Sequence, residues 1–249
     1  MIVVFECVLE DISTFRDSLA TISELIEESQ LKIKKNGIEL LASDRAVVAV
    51  VDFKFYAKNF KEYNHTSDIS IGINLSNLIQ VLKRVKSSEI VEFHVSESNL
   101  SLLIKGESTR RFTLPLIDIR EEVPSGIEKL NFPVKVEFSS ELLNDGIEDA
   151  DLVSDSIIFE VSKNDFIIKA EGDSSSTELR LEHGKQAKIA GDKNAKARYS
   201  LDYLKKMIKA RKISSIAILE FDTNYPLRLT FAQPEKISLS FILAPRIEE

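Results

Sequence analysis

The sequence contains no tryptophan, a single cysteine and no long apolar run. One thiol, that of Cys7, is too few for an internal disulfide bond, which favours a reducing compartment. No apolar run approaches the roughly 18 residues that span a bilayer. Residues 1–11 lack a basic stretch and turn acidic, so we expect no signal peptide. These absences argue against a secreted or membrane-spanning protein.

The common catalytic motifs are missing as well. The sequence has no Gly-x-x-x-x-Gly-Lys-Ser/Thr, no Gly-x-Gly-x-x-Gly and no His-Glu-x-x-His. Acidic residues at 145–151 lack the spacing of an EF-hand, in which glycine is the sixth residue. The three histidines are scattered: His65, His94 and His183. We predict no catalytic residue, no cofactor and no metal site. An enzyme that uses a carboxylate such as Asp149 or Asp151 on a duplicated α+β scaffold is the alternative.

The composition is that of a globular protein with an acidic balance. Its 249 residues are 43% hydrophobic and 29% charged, with a net charge of -7. Binding to nucleic acid without sequence preference rests on neutralising phosphates, which a negative net charge disfavours. Such binding therefore requires basic residues gathered on one surface.

Two pairs of segments repeat at nearly the same offset. Residues 31–42 and 159–170 each alternate apolar and polar side chains around a turn at Asn-Gly or Asn-Asp, which predicts a β-hairpin in each. Residues 75–86 and 201–212 each carry an apolar stripe at helical spacing. The offsets are 128 and 126 residues. A duplicated domain explains them better than chance agreement between amphipathic segments does.

The repeats predict an α+β chain with two domains. We place these domains at 1–116 and 134–249, joined by a connector at 117–133 that contains Pro124, Gly126 and Pro133. Isolated apolar residues, such as Val123 and Ile127, indicate a strap lying on a surface. Ser76 and Asp202, or their immediate neighbours, are the predicted N-caps of the repeated helices.

The repeated helices carry basic residues away from their apolar stripes. Residues 75–86 include three basic and no acidic side chains, and residues 201–212 include five basic and one acidic. Such faces hold phosphates without reading bases. Lysines on a single helix are ordinarily just solvated, but their presence on both repeats favours a functional surface. The other predicted helices, 10–22 and 139–151, are acidic and would repel phosphate.

With these features the chain resembles the archaeal and eukaryotic DNA sliding clamps, the proliferating cell nuclear antigen family, over nearly its whole length. The most specific matching segment is the ending Leu243-Ala-Pro-Arg-Ile-Glu-Glu249. The other matching segments are 72–75 with Leu82-Lys83, 110–118, 149–155, 169–172, 199–204 and 225–229.

The resemblance implies a duplicated DNA-clamp fold in which three chains form a ring. Helices would line a central channel, antiparallel sheets would lie outside, and the ring would encircle double-stranded DNA. The residues implied to face DNA are Arg16, Lys83, Arg84, Lys205, Lys206 and Lys209. The chain departs from the family where Asn144, Asp145, Glu148 and Asp151 stand in place of frequent basic residues. A specialised subunit of a heterotrimeric repair or checkpoint clamp is therefore an alternative.

The family's partners dock a short peptide with aromatic and aliphatic anchors. By resemblance, the pocket comprises Val48, Val50, Ile127, Pro226, Ile242, Ala244 and Pro245. The alternative for Val48 and Val50 is an ordinary place in the core. Implied partners are DNA polymerase, the clamp loader, flap endonuclease and DNA ligase, and the implied location is the cytoplasm and nucleoid of an archaeal-type cell.

Ring closure in the family joins edge strands of neighbouring subunits. The candidate strands are 109–114, with Arg110 and Arg111, and 177–182, with Glu178 and Glu182. Opposite charges on the two edges would favour head-to-tail contact. Charged edge strands also prevent aggregation, which is the alternative explanation.

Overall fold

The computed structural model describes residues 3–120, 124–191 and 193–247, which divide into two compact units. Unit 1 comprises the described residues of 1–42, 51–123 and 233–239, and unit 2 those of 43–50, 124–232 and 240–249. Segments 43–50 and 233–239 thus each belong with the opposite half of the sequence. The domain bounds drawn from the sequence, 1–116 and 134–249, stay a prediction.

The described part of unit 1 contains antiparallel strands, two α-helices and a single-turn 3-10 helix at Ala57–Asn59. Strands β5, β1, β7, β8 and β9 form one sheet in that order, and β6, β2, β3 and β4 lie side by side in another. In chain order the elements are β1 (Val3–Leu9), α1 (Ser13–Ile22), β2 (Glu28–Lys34), β3 (Gly37–Ser43), β4 (Ala49–Tyr56), β5 (Glu62–Asn64), β6 (Ile69–Asn74), α2 (Leu75–Leu82), β7 (Ile90–Ser96), β8 (Asn99–Lys105) and β9 (Thr109–Pro115).

The described part of unit 2 has the same numbers of strands and α-helices, together with 3-10 helices at Ile127–Lys129 and Ile208–Lys212. The elements are β10 (Val134–Ser139), α3 (Ser140–Asp151), β11 (Ser156–Val161), β12 (Asp165–Glu171), β13 (Ser176–Glu182), β14 (Ala187–Ala190), β15 (Ala195–Ser200), α4 (Leu201–Met207), β16 (Ile216–Phe221), β17 (Leu227–Gln233) and β18 (Ile237–Leu243). Its strand orders are β14-β10-β16-β17-β18 and β15-β11-β12-β13. Adding nine to each strand number of unit 1 reproduces both orders. The predicted duplicated α+β fold is therefore confirmed.

The predicted hairpins lie where the sequence placed them. Strands β2 and β3 pair with Ile33 opposite Ile38, and β11 and β12 pair with Val161 opposite Phe166. All four side chains are buried. The alternation of apolar and polar residues in both segments thus identifies the face of each hairpin that packs against the core.

The predicted helix N-caps, Ser76 and Asp202 or their immediate neighbours, are wrong in both repeats. The helices begin at Leu75 and Leu201, so Asn74 and Ser200 occupy the N-cap positions. The Asn74 Oδ1 accepts a hydrogen bond from the Asn77 amide at 2.9 Å, whereas Ser200 makes no side-chain capping bond. Each helix follows directly from a strand, so the last residue of the strand takes the N-cap position in place of a loop residue.

Helix α3 packs closely on its sheet because of Gly146. A Cβ atom at this position would lie 3.0 Å from two carbons of Ile168 and 3.3 Å from Cδ2 of Leu179. Ile147 and Ala150 on the same helix are also buried. This close approach leaves the acidic side chains of α3 on the opposite, exposed face.

The first part of the connector lies against unit 1. The Ile117 amide donates to the Gly72 carbonyl at 3.0 Å, and Gln30 Nε2 donates to the Ile119 carbonyl at 2.6 Å. A side chain at Gly72 would collide with the Ile117 carbonyl, since its Cβ would lie 2.1 Å away. Residues 121–123, including the predicted strap residue Val123, lie outside the described residues.

Replacing Gly146 by valine tests this packing. We expect Gly146→Val to lower the free energy of unfolding by about 1–3 kcal/mol, because the added side chain overpacks the site between α3 and its sheet. Asp145→Val is the matched control, since it places the same side chain on the exposed face of α3. Urea unfolding at one fixed protein concentration measures both. Equal effects of the two variants would contradict the proposed close approach.

Candidate functional site

The basic face of unit 1 consists of Lys83 and Arg84, which lie just beyond the end of α2. Helix α2 buries Leu75, Leu78 and Leu82, and the two basic side chains that follow are exposed. Among the described residues, no carboxylate lies within ion-pair distance of either one. The face thus presents two unneutralised cations.

The basic face of unit 2 consists of Lys205, Lys206 and Lys209. Lys205 and Lys209 are exposed, whereas Lys206 is half-buried and its ammonium lies 5.6 Å from the centre of the Tyr203 ring. A cation over an aromatic face is held by the ring's quadrupole. The side chain of Lys206 is therefore held more firmly than the exposed side chains of the basic face of unit 1.

Acidic side chains of α3 lie against the basic segment of unit 2. Lys205 Nζ is 2.6 Å from Asp151 Oδ2, and Arg211 Nε is 3.3 Å from Glu141 Oε1. The hydrogen bond to Asp151 raises the pKa of Lys205. The acidic helix that appeared as a departure from the family therefore neutralises part of the neighbouring basic face. Asn144, which the sequence grouped with these acids, is instead buried.

Helix α1 contributes one predicted DNA-facing residue, Arg16. Its guanidinium lies 3.1 Å from Asp17 Oδ1 and is half-buried. The local pair leaves little free positive charge on α1.

The residues predicted to bind a partner peptide all belong to unit 2, but they differ in exposure. Val50 and Ile242 are only 5% and 8% exposed, so the core position considered for Val50 describes it better. The remaining five are half-buried and reachable from solvent: Val48, Ile127, Pro226, Ala244 and Pro245.

Sequence reasoning missed Val47, which is 59% exposed beside Val48. Its φ angle is 56°, a left-handed conformation that branched side chains rarely adopt. No sequence pattern predicts a strained valine in a loop, so only the backbone geometry reveals this residue.

The predicted interface strands β9 and β13 each lie at the edge of a sheet. Arg110 on β9 turns back into its own unit, with Nη2 2.6 Å from Glu89 Oε2 and 3.2 Å from the Arg84 carbonyl. Arg111 is exposed. On β13, Glu178 pairs with Arg180 at 3.0 Å and Glu182 pairs with Lys185 at 2.5 Å.

The isolated titratable residues have local partners. His65 Nε2 lies 2.8 Å from Asp68 Oδ1, His94 lies between Glu6 and Glu92, and the Ile189 amide donates to His183 Nδ1. Burial, with a smaller contribution from nearby Glu6, raises the pKa of the Cys7 thiol. A buried protonated thiol is a poor nucleophile.

Neither a metal-binding cluster nor a membrane-spanning helix is found in the described part of the chain. No three His, Cys, Asp or Glu side chains there are arranged to hold a metal ion. Within 3–120, 124–191 and 193–247, no helix is both long enough and apolar enough to cross a bilayer.

Comparison with known proteins places this geometry in a family. The family model described as "Proliferating cell nuclear antigen, N-terminal domain" matches residues 4–123, and the C-terminal domain model matches residues 126–246. The chain belongs to the proliferating cell nuclear antigen family. Within this family, it is 37% identical to the DNA polymerase sliding clamp of Methanothermobacter thermautotrophicus, covering 98% of both chains. It is 34% identical to that of Pyrococcus furiosus, covering 98% of this chain and 99% of the relative.

Solved structures of this antigen family have the same fold. The structure from Thermococcus kodakaraensis is 27% identical with a TM-score of 0.87, covering 97% of this chain and 100% of that one. The structure from Entamoeba histolytica has a TM-score of 0.89 at 22% identity, covering 99% and 100%. The latter supports the fold alone.

Glu89 should stabilise unit 1 at neutral pH. Its pKa is held below the ordinary value by the hydrogen bond from the Lys86 amide, against the opposing effect of burial, and by Arg110. A carboxylate whose pKa falls on folding stabilises the fold above its unfolded pKa, about 4.3, and this contribution is lost as pH falls through the lower folded pKa. We expect Glu89→Gln to lower the melting temperature at neutral pH and to flatten its decline in acid.

Glu107→Gln is the control, because Glu107 is exposed and has no ion-pair partner among the described residues. Melting curves from about pH 7 to about pH 3 compare both variants with the parent chain. Identical profiles for the two variants would show that the contact between Glu89 and Arg110 contributes nothing.

Proposed function

We propose that this protein is a DNA polymerase sliding clamp, a ring that encircles duplex DNA and tethers a polymerase without catalysing a reaction. The observation that carries the proposal is a duplicated fold with a basic face in each unit, in a chain similar over its whole length to DNA polymerase sliding clamps. Basic side chains on helices hold phosphates of any sequence. The net charge of -7 disfavours DNA contact elsewhere on the surface.

The way β4 and β18 are bonded supports assembly through β9 and β13. Inside unit 1, the Tyr56 amide at the end of β4 donates to the Lys236 carbonyl, which precedes β18, at 3.0 Å. Inside unit 2, the Ala244 amide after β18 donates to the Val48 carbonyl, which precedes β4, at 3.0 Å. By the strand correspondence, β13 is the counterpart of β4 and β9 that of β18. The counterparts of these two strands, β13 and β9, therefore each remain at the edge of a sheet.

We infer that β9 of one subunit pairs with β13 of the next in a homotrimer. Exposed Arg111 supplies positive charge on one edge. On the other edge Glu178 and Glu182 are exposed and would exchange their local partners, Arg180 and Lys185, for the arginine of the next subunit. Arg110 would remain with Glu89. Because the two edges differ, the contact is head-to-tail, which closes a ring when the rotation permits.

Partners would dock on the apolar residues of unit 2 that solvent can reach. Half-buried Ile127, Pro226 and Pro245, together with exposed Val47, suit the apolar anchors of a short peptide. DNA polymerase, the clamp loader, flap endonuclease and DNA ligase are the proposed partners, and the nucleoid is the proposed location. Weak phosphate contacts suffice because encirclement itself prevents dissociation.

Native mass and polymerase processivity test the function together. We expect light scattering across a dilution series to give the mass of three chains, and the ring to lengthen the products of its cognate polymerase without consuming a substrate. Arg111→Glu should lower the mass and the product length, because it places like charges across the edge. Lys35→Glu, at an exposed turn in unit 1, is the charge-matched control.

A monomer that lengthens products only with sister subunits would indicate a heterotrimeric clamp. Product lengths unchanged under every condition would contradict the clamp function.

The pair between Lys205 and Asp151 should limit DNA affinity. We expect Asp151→Asn to free Lys205, which tightens binding to a short linear duplex at low salt. The slope of log affinity against log salt should steepen by about 0.9 for each phosphate newly contacted. Fluorescence anisotropy at several salt concentrations measures both effects.

Asp149→Asn removes the same charge from the same helix without touching Lys205, so it separates the pair from the general effect of charge. Equal slopes for the two variants would show that Lys205 is already available to phosphate.

A further inference from the structure

Loop 44–48, which joins β3 to β4, is organised around the buried carboxylate of Asp44. Asp44 is only 8% exposed. Its Oδ1 accepts hydrogen bonds from the amides of Val48 and Ala49, each at 2.8 Å, and its Oδ2 accepts one from the Ala46 amide at 3.3 Å. A buried charge with several donors fixes the path of the backbone around it.

The fourth donor comes from α4, the helix that carries Lys205 and Lys206 of the basic face of unit 2. Tyr203 on α4 donates its hydroxyl to Asp44 Oδ2 at 2.7 Å. Burial favours the neutral form of Asp44, but the hydrogen bonds from Ala49, Tyr203 and Val48 outweigh it and hold the pKa below its ordinary value. Burial and the bond to Asp44 raise the pKa of Tyr203 to about 12, so the hydroxyl keeps its proton at neutral pH.

The same loop holds Val47 in its left-handed conformation with the side chain in solvent. A strained backbone of this kind persists only where surrounding contacts determine it. Those contacts are the bonds to Asp44, the bond from the Val47 amide to the Asp44 carbonyl at 3.0 Å, and the bond between Ala244 and Val48. An exposed apolar side chain on a strained backbone contributes no stability to the core, which points to a role at the surface.

We propose that Asp44 and Tyr203 are positioning residues of the partner-peptide surface, which hold Val47 and Val48 in the conformation that receives an apolar anchor of a bound peptide. The inference rests on the proposed function and extends it to two residues that do not themselves contact the peptide. The occupant is a short peptide with aliphatic and aromatic anchors, because the neighbouring half-buried residues of the surface, Ala244 and Pro245, are also apolar.

Tyr203→Phe tests the inference by removing one hydroxyl and leaving the ring. The probe is a fluorescein-labelled synthetic peptide that presents an isoleucine and two phenylalanines on one face. We expect about tenfold weaker binding, because a buried hydrogen bond to a charged group is lost and the loop becomes disordered. Hydrogen exchange of the Val48 and Ala49 amides should accelerate, while the native mass stays unchanged.

Tyr63→Phe is the matched control, because Tyr63 Oη donates to the Lys34 carbonyl at 2.7 Å in unit 1 and, among the described residues, makes no hydrogen bond with the loop. It should leave peptide affinity and the exchange of both amides unchanged. Asp44→Asn should weaken binding as well, and adding Tyr203→Phe to it should produce little further loss, since the two residues act as one unit.

Two results would overturn the inference in different ways. If the parent chain binds the peptide and Tyr203→Phe binds it equally well with unchanged exchange at Val48 and Ala49, the positioning role is wrong and the peptide surface stands. If the parent chain does not bind the peptide, the peptide surface itself is wrong, whereas the ring and its effect on polymerase are still tested by mass and product length.

Discussion

The burial of two short helices against antiparallel strands determines the rest of each unit. Helix α2 has eight residues and α4 has seven, which is too short for stability in water alone. They persist because residues such as Leu78 and Leu204 are completely buried. The sheet occupies one face of each helix, so the remaining side chains must face solvent. The positions of the charges therefore follow from the packing.

The two units share a backbone fold, but their basic faces are not equally neutralised by nearby acids. Lys83 and Arg84 in unit 1 are free of nearby carboxylates among the described residues, whereas Lys205 in unit 2 pairs with Asp151. Helices α1 and α3 occupy matching places in the strand order, yet α3 carries five acids and no base within 139–151. The two basic faces thus differ in strength although their helices were predicted from the same repeat. The acidic side chains of α3 therefore reduce the positive charge that the clustered lysines give to unit 2.

The sequence predicted features that depend on periodicity and failed on those that depend on distant contacts. The hairpins and the four helices follow from alternation and spacing, whereas the edge positions of β9 and β13 were implied by the family resemblance. The capping role of Asn74, the return of Arg110 to Glu89 and the exposure of Val47 do not. Asn74 caps its helix because the helix starts directly after a strand. Arg110 reaches a residue 21 positions away, and Val47 takes up a rare backbone angle. The contact between Tyr203 and Asp44 spans 159 positions, which no local pattern encodes.

The difference between the two edge strands has a thermodynamic consequence for assembly. If β9 of each subunit pairs with β13 of the next, any open chain of subunits, whatever its length, leaves one edge of each kind unpaired. Closing the chain forms one additional contact without a further loss of translational freedom, because both edges already belong to the same particle. The closed form is then favoured over open forms by nearly the whole free energy of a contact. Opening it requires only one contact to break, so a partner that binds a single junction controls access to the interior.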